Sequence, residues 1–205
     1  LIKFWEYSCK LDVIDLQQIN IKVFVTEDSP ISYQNFIKVF NKWMEEADHD
    51  DYLNYADYSF THAGPGVLLI SKRVNYSIDN AQNRHGFLYN QKENVEGNNH
   101  QKINQAFINT FEKCQQLEQE RDLGNEVRFK GNEILFMVNN RHLAPNTQET
   151  FEAIKLELSP VLEKIYGNAD FTLEKASEDP RERFAVLISS NANLEVSTLL
   201  GNLEK

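Results

Sequence analysis

The residues best suited to chemistry lie between two strand-like segments, in His62-Ala-Gly-Pro-Gly66. Gly64 and Gly66 allow positive φ and let a ligand approach backbone N–H groups closely. His62 titrates near neutrality, and Asp57, Tyr58 and His85 stand close enough in the chain to join it if the flanking strands pair. A hydrolase or lyase would use His62 or His85 as base, with Asp57 orienting the imidazole. The same letters also make an ordinary tight turn. No Gly-Lys-Ser/Thr follows to form a phosphate loop, and the next element reads as a strand, which excludes a dinucleotide fingerprint.

A second set suits anion binding. Asp79, Arg84 and His85 form a polar cluster between two strand candidates, and Arg141 lies in Asn139-Asn-Arg-His142 after another strand. A guanidinium fork grips carboxylate or phosphate bidentately, so Arg84 and Arg141 are the candidates for that task. Together with Gly64, Gly66, Tyr58 and Asp79 they make up the expected ligand-binding set. Turn residues and surface ion pairs account for the same letters. The acidic run Glu45 to Asp51 has no EF-hand spacing and reads as a solvated face. Neither cysteine, Cys9 or Cys114, belongs to a CxxC pair or a zinc spacing, and no nucleophile elbow is present. No metal or cofactor is expected.

Composition bounds the partners. The 205 residues carry 21 Lys and Arg against 31 Asp and Glu, a net charge of −10. That field repels phosphate backbones and anionic lipid surfaces, which argues against nucleic acid. No stretch approaches the roughly 18 apolar residues of a membrane span. Free-thiol usage and the lack of a signal-like start lead to the expectation of a cytoplasmic protein. A protein partner or a small anionic molecule fits best. The leading expectation is a non-catalytic binding or assembly protein, with the hydrolase or lyase as its alternative.

Positioning these residues falls to alternating strands and helices. Ile21 to Val25 is β-branched and aromatic, and Phe36, Ile37, Phe40, Trp43 and Met44 recur at helical spacing. Strands are expected at Tyr55 to Phe60, Val67 to Ser71, Val74 to Ile78 and Gly86 to Tyr89. A helix over Asn99 to Arg121 carries Cys114 on its apolar stripe. Gly131-Asn132 between two apolar runs predicts a hairpin. A third helix begins after Pro145, capped by Asn146 and kinked or restarted at Pro160.

Ile21 to Val25 matches Ile134 to Val138 at an offset of 113 residues (134 − 21), as does Ala56-Asp-Tyr-Ser with Ala169-Asp-Phe-Thr. Pro30 and Pro145 precede the two helices. The chain therefore reads as α+β, an antiparallel sheet with helices on one face, built from two pseudo-symmetric β-α-β-β units. The units cover 21–73 and 134–190, joined by a hairpin and helix over 74–133 into one domain, 21–190. Residues 1–20 read as an extension and 191–205 as a tail, with weak helical character from Asn193 to Lys205.

The motifs Ala56-Asp-Tyr-Ser59, His62 to Ile70, Asn75 to Asp79, Arg84 to Tyr89, Asn139 to Asn146 and Asp179 to Arg183 resemble a family of uncharacterised bacterial proteins of about this length. The resemblance runs from Ile21 through most of the chain and implies no particular activity.

Overall fold

The computed structural model describes residues 14–47, 51–61 and 64–205. In chain order the elements are β1 (Ile19–Val25), α1 (Tyr33–Glu46), β2 (Tyr52–Asp57), β3 (Val67–Ser71), β4 (Val74–Asp79) and β5 (Gly86–Gln91). Then come α2 (Asn99–Glu118), β6 (Phe129–Val138), α3 (Gln148–Tyr166), β7 (Phe171–Lys175), β8 (Phe184–Ser190) and α4 (Val196–Leu203). The strands form a single sheet of order β2-β3-β4-β5-β1-β6-β8-β7, antiparallel throughout. The fold is α+β.

Alternation along each strand divides the sheet into two faces. On β1, Ile19, Ile21, Val23 and Val25 join the apolar core with Phe36 and Phe40 of α1, Phe107 and Phe111 of α2 and Leu158 of α3. Asn20, Lys22 and Phe24 point to the opposite face. Cys114 is fully buried in the core, where desolvation pushes its thiol well up and keeps it protonated.

Several expectations are corrected here. Gly131-Asn132 is no turn, because β6 runs unbroken from Phe129 to Val138. Gly131 instead marks a close backbone approach: a Cβ there would overlap the carbonyl oxygen of Leu194. The tail supplies α4, whose Val196, Leu199, Leu200 and Leu203 are buried against α2 and α3. The extension is shorter than 1–20, since Ile19 and Asn20 belong to β1 and Leu16 is fully buried. Asn99 holds that lead-in, its Oδ1 accepting from Leu16 N at 2.9 Å and its Nδ2 donating to the Ile14 carbonyl at 2.7 Å. Residues 1–13, with Cys9, lie outside the described residues. β2 begins at Tyr52 and ends at Asp57, three residues earlier than expected at each end.

Thr147 caps α3 rather than Asn146, accepting from Thr150 N. The helix runs through Pro160 as one element, with Pro160 and the Leu156 carbonyl's residue both on its exposed side. A carbonyl deprived of its partner there can bond to water. The two units differ in strand order: β8 lies directly on β6, whereas β4 and β5 separate β3 from β1.

Candidate functional site: a groove on the open face of the sheet

Among the described residues no helix packs over the face bearing Lys22, yet much of that face is apolar. One cross-strand row reads Leu68, Ser77, Leu88, Lys22, Leu135, Leu187 over six consecutive strands. A solvated sheet face ordinarily alternates to polar residues. This row keeps four leucines, all of them partly exposed. The next row reads Asn75, Asn90, Asn20, Met137, Ala185, so its apolar part is Met137 beside Ala185. Around this floor lies a groove of about 500 Å³ whose lining includes Asp79, Arg84, Arg141, Arg181 and Arg183.

Lys22 is the group that most needs explaining. Its side chain is only 3% exposed, and Nζ donates to Asp79 Oδ2 at 2.5 Å and to the Arg84 carbonyl at 2.7 Å. The stem leans over Gly86, where a Cβ would come within 2.7 Å of Lys22 Cε, so glycine makes its path possible. The ammonium is therefore engaged by Asp79 and the Arg84 carbonyl, and its methylenes complete the apolar row. Burial pushes the ammonium below the ordinary lysine range, and the charge of Asp79 opposes that shift.

The groove's two ends carry different charges. At the far end, Arg84 lies over the Phe24 ring, 3.7 Å from its centroid, and its Nη2 donates to Glu133 Oε2 at 2.6 Å. At the mouth, Val138 pairs with Phe184, which brings Asn139 to Arg141 beside Arg183. Asn140 Oδ1 accepts from His142 N and Leu143 N, closing the turn that presents Arg141. Asn146 ties the two mouth loops together, Nδ2 donating to the carbonyls of Ser177 at 2.9 Å and Asp179 at 2.8 Å. Arg181 is held by Asp179 through both Nε and Nη2. Arg183 makes only a 3.5 Å contact with Asn139 Oδ1, and Arg141 has no ion pair among the described residues.

Three of the ligand-binding residues read from the sequence thus meet in one groove: Asp79, Arg84 and Arg141. The others stand elsewhere. Tyr58 is exposed past the end of β2, its N–H donating to the Gly66 carbonyl at 2.6 Å. Gly66, at φ +58°, closes the turn; a Cβ there would overlap the Ile78 carbonyl oxygen and the Tyr33 ring. Gly64 accepts from Asn80 N at 2.9 Å.

His62 lies outside the described residues, so its expected pairing with Asp57 falls there too, as do residues 48–50 of the acidic run. Asp57 is exposed, accepts from Ser59 N at 2.8 Å, and is held below the usual carboxylate range by those Ser59 hydrogen bonds. The register Asp57–Val67–Ile78–Phe87 puts it three strands from the start of β5, about 14 Å by strand spacing. His85 and Asp57 are not brought together.

His85 packs instead against Tyr33, whose Oη lies 3.1 Å from Nε2. Burial lowers the imidazole pKa, the Lys22 charge adds to that, and the Asp79 charge works against it. The unfolded chain therefore binds this proton more tightly than the fold does. Stability is present above the ordinary value of 6.5 and falls as pH drops from there through the lowered folded value. Denaturation midpoints measured across that acid window should show less decline in His85→Gln than in the unaltered protein.

From the sequence, Lys22, Phe24, Arg183, Asn146 and the leucine row do not stand out as site residues, although Asn146 reads as a helix cap and Arg183 as part of a surface turn. The alternation Asn20, Lys22, Phe24 within an apolar strand was the available signal for Lys22 and Phe24. Among the described residues no group of three His, Cys, Asp or Glu side chains converges as a metal centre, and no helix is long and apolar enough to cross a membrane. No protein-family model, curated protein or solved structure matches the chain.

Proposed function

We propose that the protein is a non-catalytic binding protein whose ligand, a small anionic molecule with an apolar body, occupies the groove on the open face of the sheet. The observation that carries this reading is the leucine floor ending at two uncommitted guanidiniums. In a chain of net charge −10, the groove collects Lys22, Arg84, Arg141, Arg181 and Arg183 against Asp79 and Glu182 in its lining and Glu133 and Asp179 bonded to Arg84 and Arg181, a local excess of one positive charge (5 − 4). Such a local reversal of field attracts an anion to this surface. The free, buried Cys114 supports a reducing, cytoplasmic setting.

The groove also fits a pair of like units meeting at its floor. Lys22 pairs with Leu135, and the offset of 113 residues carries Lys22 onto Leu135. The same offset carries the pair Ile21–Phe136 onto Ile134–Val23, which is also a register pair. This supports a local two-fold axis at the groove, with β4 and β5 as an addition to the first unit.

Anilinonaphthalenesulfonate, an apolar anion, serves as the probe. The double variant Arg141→Ala/Arg183→Ala should bind it roughly tenfold more weakly, about 1.4 kcal/mol. Both side chains are exposed and lightly partnered, so unfolding free energy should change by less than about 1 kcal/mol. Equal affinity for the two proteins contradicts the proposal. Arg84 is unsuitable for this test, because its removal strips Glu133 and Phe24 of their partner.

A further inference from the structure

We infer that the ligand is a linear fatty carboxylate, its head between Arg141 and Arg183 and its chain laid along β1 and β6 towards Phe24. The inference rests on the reading of the groove as a ligand site and deepens it to a substrate class and an orientation.

Length and shape come first. The lining runs from Arg183, one residue past the Val138–Phe184 pair, to Phe24, two residues past the Lys22–Leu135 pair, a span of about 20 Å at the rise of an extended strand. Between them the floor is Met137, Ala185, Leu135, Leu187 and Leu88, with the Lys22 stem filling the row. Two polar side chains belong to that stretch: the Lys22 ammonium is bonded to Asp79 and the Arg84 carbonyl, and Asn20, opposite Met137, is fully buried and outside the groove's lining. A sugar, a nucleobase or a peptide would lay polar groups over Leu88, Leu135, Leu187, Met137 and Ala185, whose side chains offer no hydrogen bond, an unfavourable burial. A hydrocarbon chain has no such groups.

Charge fixes the number and place of the anionic groups. Every cation at the far end is already neutralised: Lys22 by Asp79, Arg84 by Glu133. Arg181 is likewise held by Asp179. Of the cations lining the groove, Arg141 and Arg183 alone have no ion pair among the described residues, and both are at the mouth. Two guanidiniums match the two oxygens of one carboxylate, at the rim where the head keeps part of its hydration. A second anionic group would instead arrive beside Asp79 and Glu133. The ligand is a monoanion.

Calorimetric titrations of the full chain with dodecanoate, dodecanol and dodecanedioate, below micelle-forming concentrations, test this. Dodecanoate should bind saturably at a single site, with dodecanol and dodecanedioate each at least tenfold weaker. In Arg141→Ala/Arg183→Ala, dodecanoate should fall to the affinity of dodecanol while dodecanol itself is unchanged. The inference is overturned if dodecanol binds as tightly as dodecanoate, if the diacid does so, or if the double variant keeps the carboxylate preference. Failure of dodecanoate while the sulfonate probe still binds through Arg141 and Arg183 overturns the fatty-acid class and leaves the groove as a site for another anion. Failure of both ligands overturns both readings.

Discussion

Replacing Asp79 with alanine should destabilise the protein by about 3–5 kcal/mol, because it leaves the Lys22 ammonium buried without its counter-charge. The pair is almost fully removed from water, so neither partner can be rescued by solvent without local opening of the sheet. Asp79 Oδ2 also accepts from Ala81 N at 3.0 Å, which anchors the turn into β5. The double variant Lys22→Met/Asp79→Ala removes the unpaired charge and keeps an unbranched stem in the floor. It should recover most of the loss, since an apolar replacement of a buried ion pair is often neutral. Urea denaturation of the three proteins at neutral pH decides the matter. Equal losses in the single and double variants would mean that the pair's role is confined to the turn.

Gly131→Ala should lose roughly 3 kcal/mol or more, the upper range for forcing a group into a filled site. The position is enclosed on several sides. A Cβ would overlap the Leu194 carbonyl oxygen, Gly131 N donates to Asn193 Oδ1 at 3.0 Å, and the Tyr166 hydroxyl donates to the Gly131 carbonyl at 3.0 Å. β6, α3 and the segment entering α4 are thereby joined at one residue. Relief of the overlap requires that segment to move, which uncovers Val196 and Leu199. Thermal unfolding of Gly131→Ala, read beside a control such as Gly201→Ala, measures it. Gly201 lies in α4 with open space around its Cβ position. Similar midpoints for the two variants would contradict the close approach.

Gly131 also shows where the sequence was legible and where it was not. Glycine followed by asparagine between apolar runs is the signature of a hairpin, and the same letters serve a strand crossed by another backbone. Distinguishing them requires knowing that residue 194 returns to this point, which no local pattern encodes. The apolar stripes of α1, α2 and α3 were legible because helical spacing alone identifies the buried face: Phe36, Phe40, Phe107 and Leu158 are all in the core. α4 was legible only as weak helical character in the tail from Asn193 to Lys205, because eight residues give little periodicity to detect.

Of the groove, Arg84 and Arg141 could be picked out as guanidinium forks at strand ends. Their difference could not, since it depends on Glu133 and Phe24, remote in sequence from Arg84. The floor was hidden for a similar reason. Leu88, Lys22, Leu135 and Leu187 stand side by side only through register across β5, β1, β6 and β8, and no spacing along the chain links them.

The most direct measurement is methyl-resolved nuclear magnetic resonance of the protein titrated with dodecanoate. Resonances of Leu88, Leu135, Leu187 and Met137 should shift together and saturate. Core methyls on the helical side, such as Leu158 and Leu162, should remain in place. Shifts confined to the helical side, or scattered over the surface without saturation, would show that the open face of the sheet is not the binding site.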